Sequence, residues 1–186
     1  MLITALCFAN PIINSDLWAR LLQGFAVLET GKVMTADPFS YVPVHTWIDH
    51  EWGSGVIFAV VQNLFGYTGQ MVLKAVLIFL TLFFMTKIIE VRGLKYTKIQ
   101  NILFFLIFLS FFDIVILTGI RCHFFSFLLY TVFLYLLEEV RLNGRNKLLY
   151  LMPFLMLFWA NVHGGCVSGL GLFVLYAAGE FLNKKP

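Results

Sequence analysis

Apolar stretches of about 20 residues, separated by short basic breaks, fill the chain from Tyr67 to its C-terminus. A stretch of this length matches the roughly 30 Å of hydrocarbon that a transmembrane helix crosses. Charged residues make up only 12% of the 186 residues and hydrophobic ones 60%, whereas soluble domains carry about 25% charged residues. The chain therefore lacks the polar surface of a soluble protein, and the sequence predicts an all-α polytopic transmembrane helix bundle.

The composition divides this single transmembrane domain, 1–186, into three parts. Residues 1–13 are apolar but too short to cross a membrane, so they are expected to be a partial first helix. Residues 14–66 hold half of the acidic residues and three of the four tryptophans, which predicts an extracytoplasmic loop. Residues 67–186 are expected to form the bundle of about five full spans. These spans are predicted at 67–89, 99–118, 124–140, 148–163 and 166–182.

Two amphipathic helices are expected within the loop. The first has an apolar stripe at helical spacing and ends near Gly31; the stripe is Leu17, Leu21, Phe25 and Leu28. The second begins near residue 49, and a turn at 66–69 follows it. Its apolar residues are spaced by four at Trp52, Val56, Val60 and Leu64. Both helices are predicted to lie on the membrane surface rather than to cross it.

The basic residues predict the orientation. Nine of the thirteen Lys and Arg residues fall on one side of the predicted bundle, and the positive-inside rule makes that side cytoplasmic. All four histidines then lie on the outer side, together with most of the acidic residues of the loop and Arg121. We therefore expect one extracytoplasmic polar layer over an apolar bundle, and we expect function to reside there.

Asp16 is the first candidate for chemistry. A carboxylate at the membrane surface can act as the general base that deprotonates an acceptor hydroxyl. The alternative is structural, since an Asp at this position can cap the first helix and pair with Arg20 one turn further on.

The segment Asp49-His50-Glu51 between Trp47 and Trp52 is the second candidate. Its side chains could supply a base, a metal ligand or hydrogen bonds to a sugar, and the tryptophans offer flat faces to a sugar or a headgroup. The alternative is that acidic residues in a first helical turn favour the helix dipole, while tryptophans are common at membrane interfaces. Asp37, in the sequence DPFS, is typical of a turn.

Two further groups lie at the predicted outer ends of spans. Arg121 precedes a helix and could hold a phosphate with that helix's N-terminus, or it could pair with Asp113. Asn161 and His163 stand before two glycines, which explain a turn but not the two polar side chains. The three cysteines are widely spaced, so we expect apolar packing for them and neither a zinc site nor a redox pair. The sequence leaves the cofactor open and requires none, a divalent cation being one option.

Several segments resemble a group of bacterial polytopic proteins in the GT-C glycosyltransferase superfamily, which includes oligosaccharyltransferases and protein O-mannosyltransferases. The segments are DLWARLLQG, TADPFSY, TWIDHEW, RCHFFSFLLY and WANVHGGCVSG. The resemblance extends from about Asp16 to Gly169. It implies a GT-C-like fold in the bacterial cytoplasmic membrane, with more spans than this chain holds. The chain is therefore expected to be a fragment of a longer architecture or a degenerate copy of one.

The resemblance also implies an activity: transfer of a hexosyl or pentosyl group, with inversion, from a polyprenyl-phosphate donor on the outer face. Asp16 would be the base and Arg121 a contact to the donor phosphate. The residues expected to contact substrate are Arg20, Asp37, Trp47, His50, Glu51, Arg121, His123, Asn161 and His163. The chain departs from the expected pattern twice, with Arg20 in place of a His and Cys122-His123 in place of Pro-Gln.

Two other classes of function are compatible with the residues. A non-catalytic multi-pass protein could bind a lipid-linked sugar or act as an assembly subunit, using the same polar layer. A hydrolase could use Ser168 or Ser54 with His163, although the sequence shows no defined setting for a nucleophile. The expected partners are the lipid bilayer and a polyprenyl-phosphate-linked sugar. Nothing in the sequence indicates nucleic-acid binding or fixes an oligomeric state.

Overall fold

The computed structural model describes residues 15–36, 41, 47–94 and 119–183. Its helices are α1 (Ser15–Thr30), α2 (Trp52–Val91), α3 (His123–Asn143), a 3₁₀ helix (Asn146–Leu151), α4 (Met152–Val162) and α5 (Cys166–Asn183). Within these ranges 82% of residues are helical and there are no strands. The predicted all-α class is therefore confirmed.

Three of the described helices are long and apolar enough to cross a membrane, namely α2, α3 and α5. α3 and α5 match the spans predicted at 124–140 and 166–182. The partial first helix at 1–13 and the span predicted at 99–118 lie outside the described residues. The segment predicted as a span at 148–163 is not one continuous α-helix, because it begins as the 3₁₀ helix and becomes α-helical only at Met152. Pro153 lies in the first turn of α4, where a missing N–H is tolerated.

α2 bends sharply at Gly66, whose backbone has φ 61° and ψ −155°. The side-chain amide of Gln70 donates a hydrogen bond of 2.7 Å to the carbonyl of Phe58, although 12 residues of straight helix would span about 18 Å. The chain thus turns back on itself, and α2 consists of a short arm, 52–65, and a long arm, 67–91. Two helices were predicted here. The expected turn at 66–69 is reduced to the single residue Gly66, because glycine accepts a positive φ.

α1 packs against the short arm of α2 through small residues. Leu17 and Leu21 of the predicted stripe are buried, and α1 ends before Gly31 as expected, whereas Leu28 is exposed. On α2, Val60 and Leu64 of the predicted stripe are exposed, so this stripe is not the face that packs against α1. The buried residues of the short arm are Ser54, Gly55, Phe58 and Ala59. Small side chains on this face let the two backbones approach closely, and this contact decides which face is buried.

The long arm of α2 runs parallel to α3. Lys74 lies over the ring of Phe124 near the start of α3, and Arg92 binds Glu138 near its end at 2.7 Å. α4 and α5 also pack against α3, and Trp159 of α4 is fully buried against Phe133. This arrangement brings the first turn of α1, the start of α2, the start of α3 and the α4–α5 turn to one end of the bundle.

The contact between Gly24 and Gly55 predicts a stability effect. A Cβ at Gly24 would lie 2.0 Å from the carbonyl oxygen of Gly55, so Gly24→Ala must push α1 away from α2. We expect a loss of about 1–3 kcal/mol in the free energy of unfolding, measured by thermal denaturation of the purified protein in detergent.

Gly171→Ala on α5 is the matched control, because its Cβ would meet nothing within 4 Å. A helical Gly→Ala change without a steric clash should be neutral or stabilising by about 0.5–1 kcal/mol. Equal stability of the two variants would show that the α1–α2 contact is not tight.

Candidate functional site

A guanidinium bound to two carboxylates forms the centre of the site. Arg20 Nη1 lies 2.8 Å from Asp49 Oδ1, and Arg20 Nη2 lies 3.0 Å from Glu51 Oε2. Arg20 also donates to the side-chain oxygen of Gln23 at 2.8 Å. We call Arg20, Asp49 and Glu51 the arginine–carboxylate cluster. The cluster joins the middle of α1 to the residues that lead into α2.

Asp49 is positioned by its own local structure as well as by Arg20. Its side chain is only 2% exposed, and Oδ1 accepts a hydrogen bond of 3.0 Å from the backbone N–H of Glu51. Aspartate commonly bonds a backbone N–H two residues ahead in this way. A buried carboxylate needs such partners, because removing it from water without them is very unfavourable.

Asp16 and Arg121 face each other at the rim of the site. Asp16 Oδ2 lies 3.3 Å from Arg121 Nε, and the two side chains are 54% and 39% exposed. We call them the rim pair. The structure thus brings the predicted base and the predicted phosphate contact together, across the start of α1 and the second residue before α3. Asp113, the alternative partner of Arg121, lies outside the described residues.

Two histidines approach Oε1 of Glu51, the carboxylate oxygen that Arg20 does not bind. His163 Nε2 lies 3.6 Å and His50 Nε2 3.7 Å from Glu51 Oε1. Burial lowers the pKa of His163, while Glu51 acts in the opposite direction. Burial thus favours the neutral imidazole, which can serve as a hydrogen-bond donor or as a metal ligand.

The other nitrogen of His163 is held by a hydrogen-bonded chain. Nδ1 lies 2.6 Å from Ser126 Oγ and accepts the backbone N–H of Gly165 at 3.0 Å. Ser126 Oγ in turn accepts a hydrogen bond of 2.6 Å from the indole N–H of Trp159. These contacts fix the orientation of the ring, with Nε2 directed toward Glu51.

Cys122 has a polar environment, which contradicts the expected apolar packing. Its thiol forms a set of three potential metal ligands with the side chains of Glu51 and His163, and their ligand atoms lie within 4.8 Å of one another. The structure shows no other such set among the residues that it describes. Burial and the neighbouring carboxylate of Glu51 raise the pKa of Cys122 to about 12, so the thiol is protonated in the ion-free protein. Cys122 and Glu51 are 71 positions apart, and no local spacing rule could reveal the group.

The remaining predicted residues have mostly structural contacts. The side-chain oxygen of Asn161 accepts the indole N–H of Trp52 at 2.7 Å, and this bond joins α4 to α2. His123 stacks on Phe124 with ring centroids 4.8 Å apart. Trp47 donates its backbone N–H to the carbonyl of Thr35. Asp37 lies outside the described residues.

The structure changes the choice of serine near His163. The hydroxyls of Ser168 and Ser54, the two predicted candidates, donate to the backbone carbonyls of Gly165 and Glu51 at 2.6 and 2.8 Å. The serine at His163 is Ser126, which sequence reasoning did not single out. Its hydroxyl lies against the buried Trp159 and orients the imidazole, so it does not present itself as a nucleophile.

Comparison with protein-family models, with curated proteins and with solved structures finds no match. The features established on the chain itself are an all-helical fold, three described helices apolar enough to cross a membrane, and a polar site at one end of the bundle.

The arginine–carboxylate cluster predicts a strong effect of losing Arg20. Arg20→Gln leaves the carboxylates of Asp49 and Glu51 close together and without their cation. We expect a loss of about 3–5 kcal/mol in the free energy of unfolding, measured by denaturation in detergent. Adding Asp49→Asn and Glu51→Gln to this variant should restore part of the loss, because the uncompensated charges are then removed.

Lys87→Gln is the control, since Lys87 also forms a 2.8 Å ion pair, with Glu90, but on the exposed surface. Exposed pairs contribute little, so stability should barely change. If Arg20→Gln lowered the free energy of unfolding no more than Lys87→Gln does, the arginine–carboxylate cluster would not hold α1 in place.

Proposed function

We propose that this chain is a membrane glycosyltransferase of the GT-C type. It transfers a sugar from a polyprenyl-phosphate donor to an acceptor hydroxyl, with inversion, on the extracytoplasmic face. The observation that carries the proposal is the rim pair, in which an exposed carboxylate and a half-buried guanidinium lie 3.3 Å apart. The apolar helices beneath it are suited to a donor whose lipid chain lies in the bilayer.

The rim pair supplies the two groups that such a transfer needs. Asp16 accepts the proton of the acceptor hydroxyl as its oxygen bonds to the anomeric carbon of the sugar. The bond between that carbon and the phosphate oxygen breaks on the opposite face, and its electron pair leaves with the polyprenyl phosphate. Arg121 stabilises the negative charge that the leaving phosphate gains.

The contact between Asp16 and Arg121 has a role in this proposal. The phosphodiester of the donor carries one negative charge, as a carboxylate does, and its two unesterified oxygens can compete for the same guanidinium. When the guanidinium of Arg121 turns from Asp16 to the phosphate, the Asp16 carboxylate can accept a hydrogen bond from the acceptor hydroxyl. Donor binding therefore prepares the base before the acceptor reacts.

The same pair also favours a second candidate, a non-catalytic multi-pass protein that binds a lipid-linked sugar or acts as an assembly subunit. In this case Arg121 holds the donor phosphate, and Asp16 serves only as its counter-ion in the empty protein. The two candidates share the binding step and differ in turnover.

The test uses purified protein in lipid nanodiscs with a polyprenyl-phosphate sugar as donor. Asp16→Asn removes the base but keeps the shape, so transfer should fall by about 10²–10⁴-fold while donor binding is retained. Arg121→Ala should weaken donor binding by about 10–100-fold, as expected for a lost charged hydrogen bond. Arg121→Lys should recover part of that binding.

Glu29→Gln is the matched control, because Glu29 is an exposed carboxylate at the far end of the same helix α1. Its transfer rate should equal that of the unchanged protein. Equal transfer by the Asp16→Asn variant would remove Asp16 as the base. Donor binding without any transfer by the unchanged protein would select the non-catalytic candidate, and absence of both would reject the two together.

A further inference from the structure

We infer that Glu51, Cys122 and His163 form a binding site for a divalent, borderline-soft cation of the Zn²⁺ type. We call these residues the three-ligand cluster. Their potential ligand atoms, a carboxylate oxygen, a thiol sulfur and an imidazole nitrogen, all lie within 4.8 Å of one another. They come from three separate parts of the chain, the start of α2, the residue before α3 and the α4–α5 turn.

The donor set selects the kind of ion. Thiolate and imidazole favour Zn²⁺ and similar transition-metal ions, whereas Mg²⁺ and Ca²⁺ prefer oxygen ligands only. In a tetrahedral zinc site with bonds of about 2.0–2.3 Å, the ligand atoms are roughly 3.5 Å apart. The three ligand atoms therefore have to move closer by only about 1 Å around the ion, which side-chain rotation of Cys122 can provide.

Glu51 is already oriented to act as a ligand. Arg20 holds its Oε2 at 3.0 Å, and the other oxygen, Oε1, is left facing His163 and His50. A carboxylate fixed through one oxygen and directed through the other is the arrangement that outer-shell partners give to metal ligands. Arg20 is thus a positioning residue for this site.

His163 has the outer-shell partner that a metal-bound imidazole requires. Its Nε2 faces the cluster, while Nδ1 lies 2.6 Å from Ser126 Oγ, which Trp159 holds in place. With an ion at Nε2, the ring carries its proton on Nδ1 and donates it to Ser126. The hydrogen bond from Gly165 N–H to Nδ1 is given up in that tautomer.

The charges of the site balance when the ion is bound. In the arginine–carboxylate cluster one guanidinium faces two carboxylates, so one negative charge is left over. Binding of the ion replaces the thiol proton of Cys122, which is released to solvent, and forms a metal–sulfur bond. The remaining carboxylate charge and the new thiolate charge together neutralise the two positive charges of the ion.

Three protein ligands leave a fourth position of the tetrahedron open. His50 is also near Glu51, with its side chain 62% exposed and its Nε2 3.7 Å from Glu51 Oε1. An open position occupied by water or substrate distinguishes catalytic zinc sites from closed structural ones. This inference does not depend on the proposed transfer, because it concerns ion binding alone.

The test is a titration of the full chain, purified in detergent and stripped of metals with a chelator. Co²⁺ replaces Zn²⁺ as a coloured probe. We expect one equivalent to bind, with a visible tetrahedral spectrum and a near-ultraviolet thiolate-to-Co²⁺ band that excess Zn²⁺ abolishes. Cys122→Ser should remove the thiolate band, and Ser126→Ala should weaken binding by about 10–100-fold.

Cys166→Ser is the matched control, because Cys166 is a second half-buried cysteine outside the cluster. It should bind Co²⁺ as the unchanged chain does. A thiolate band that survives Cys122→Ser, or that Cys166→Ser removes, would overturn the assignment, as would a chain that binds no Co²⁺.

A second measurement uses the unchanged chain, so its result does not depend on whether a variant folds. Zn²⁺ should slow alkylation of Cys122 by a maleimide at least 10-fold in the unchanged chain, with Cys166 modified at its normal rate. Mass spectrometry of the digested protein distinguishes the two cysteines. Equal alkylation of Cys122 with and without Zn²⁺ would contradict the site.

Discussion

The bridge from Arg20 to Asp49 and Glu51 is the interaction on which the polar end of the bundle depends. A carboxylate as buried as Asp49 is unfavourable without a cation and hydrogen bonds, and the fork of a guanidinium can hold two acceptors at once. The bridge forms only because Gly24 and Gly55 let the backbones of α1 and α2 meet one turn away. It then fixes Glu51, toward which His50, Cys122 and His163 converge.

The parts of the fold that depend on local sequence could be predicted. Apolar length and helical spacing indicated the α1 stripe around Leu17 and Leu21, and glycine placement indicated the end of α1 at Gly31 and the bend at Gly66. The buried face of the short arm of α2 could not be predicted in this way. Large apolar residues such as Leu64 mark the stronger stripe, yet the face with Gly55 and Ala59 is buried, because close backbone contact with α1 requires small side chains.

The candidate site, like the fold, could be predicted from the sequence only in part. The expectation that Asp16, Glu51, Arg121 and His163 would gather at one end followed from topology, and the described residues do gather there. The side-chain contacts at the site could not be predicted from the sequence. Arg20 and Asp49 are 29 positions apart, and Ser126 and His163 are 37 positions apart. Spacing within one helix could suggest only the pairing of Asp16 with Arg20. Which carboxylate an arginine binds is decided by the packing of separate helices, and a single sequence does not encode this in any local pattern.

Arg20 and Cys122 lie 102 positions apart, yet both approach the carboxylate of Glu51. Arg20 does so through an ion pair of 3.0 Å, and Cys122 as a member of the three-ligand cluster. The packing of α1 and of the residues before α3 against the start of α2 therefore gives one carboxylate both a positioning cation and a neighbouring thiol. Because Arg121 of the rim pair directly precedes Cys122, an ion held by Cys122 would also fix the backbone that presents Arg121.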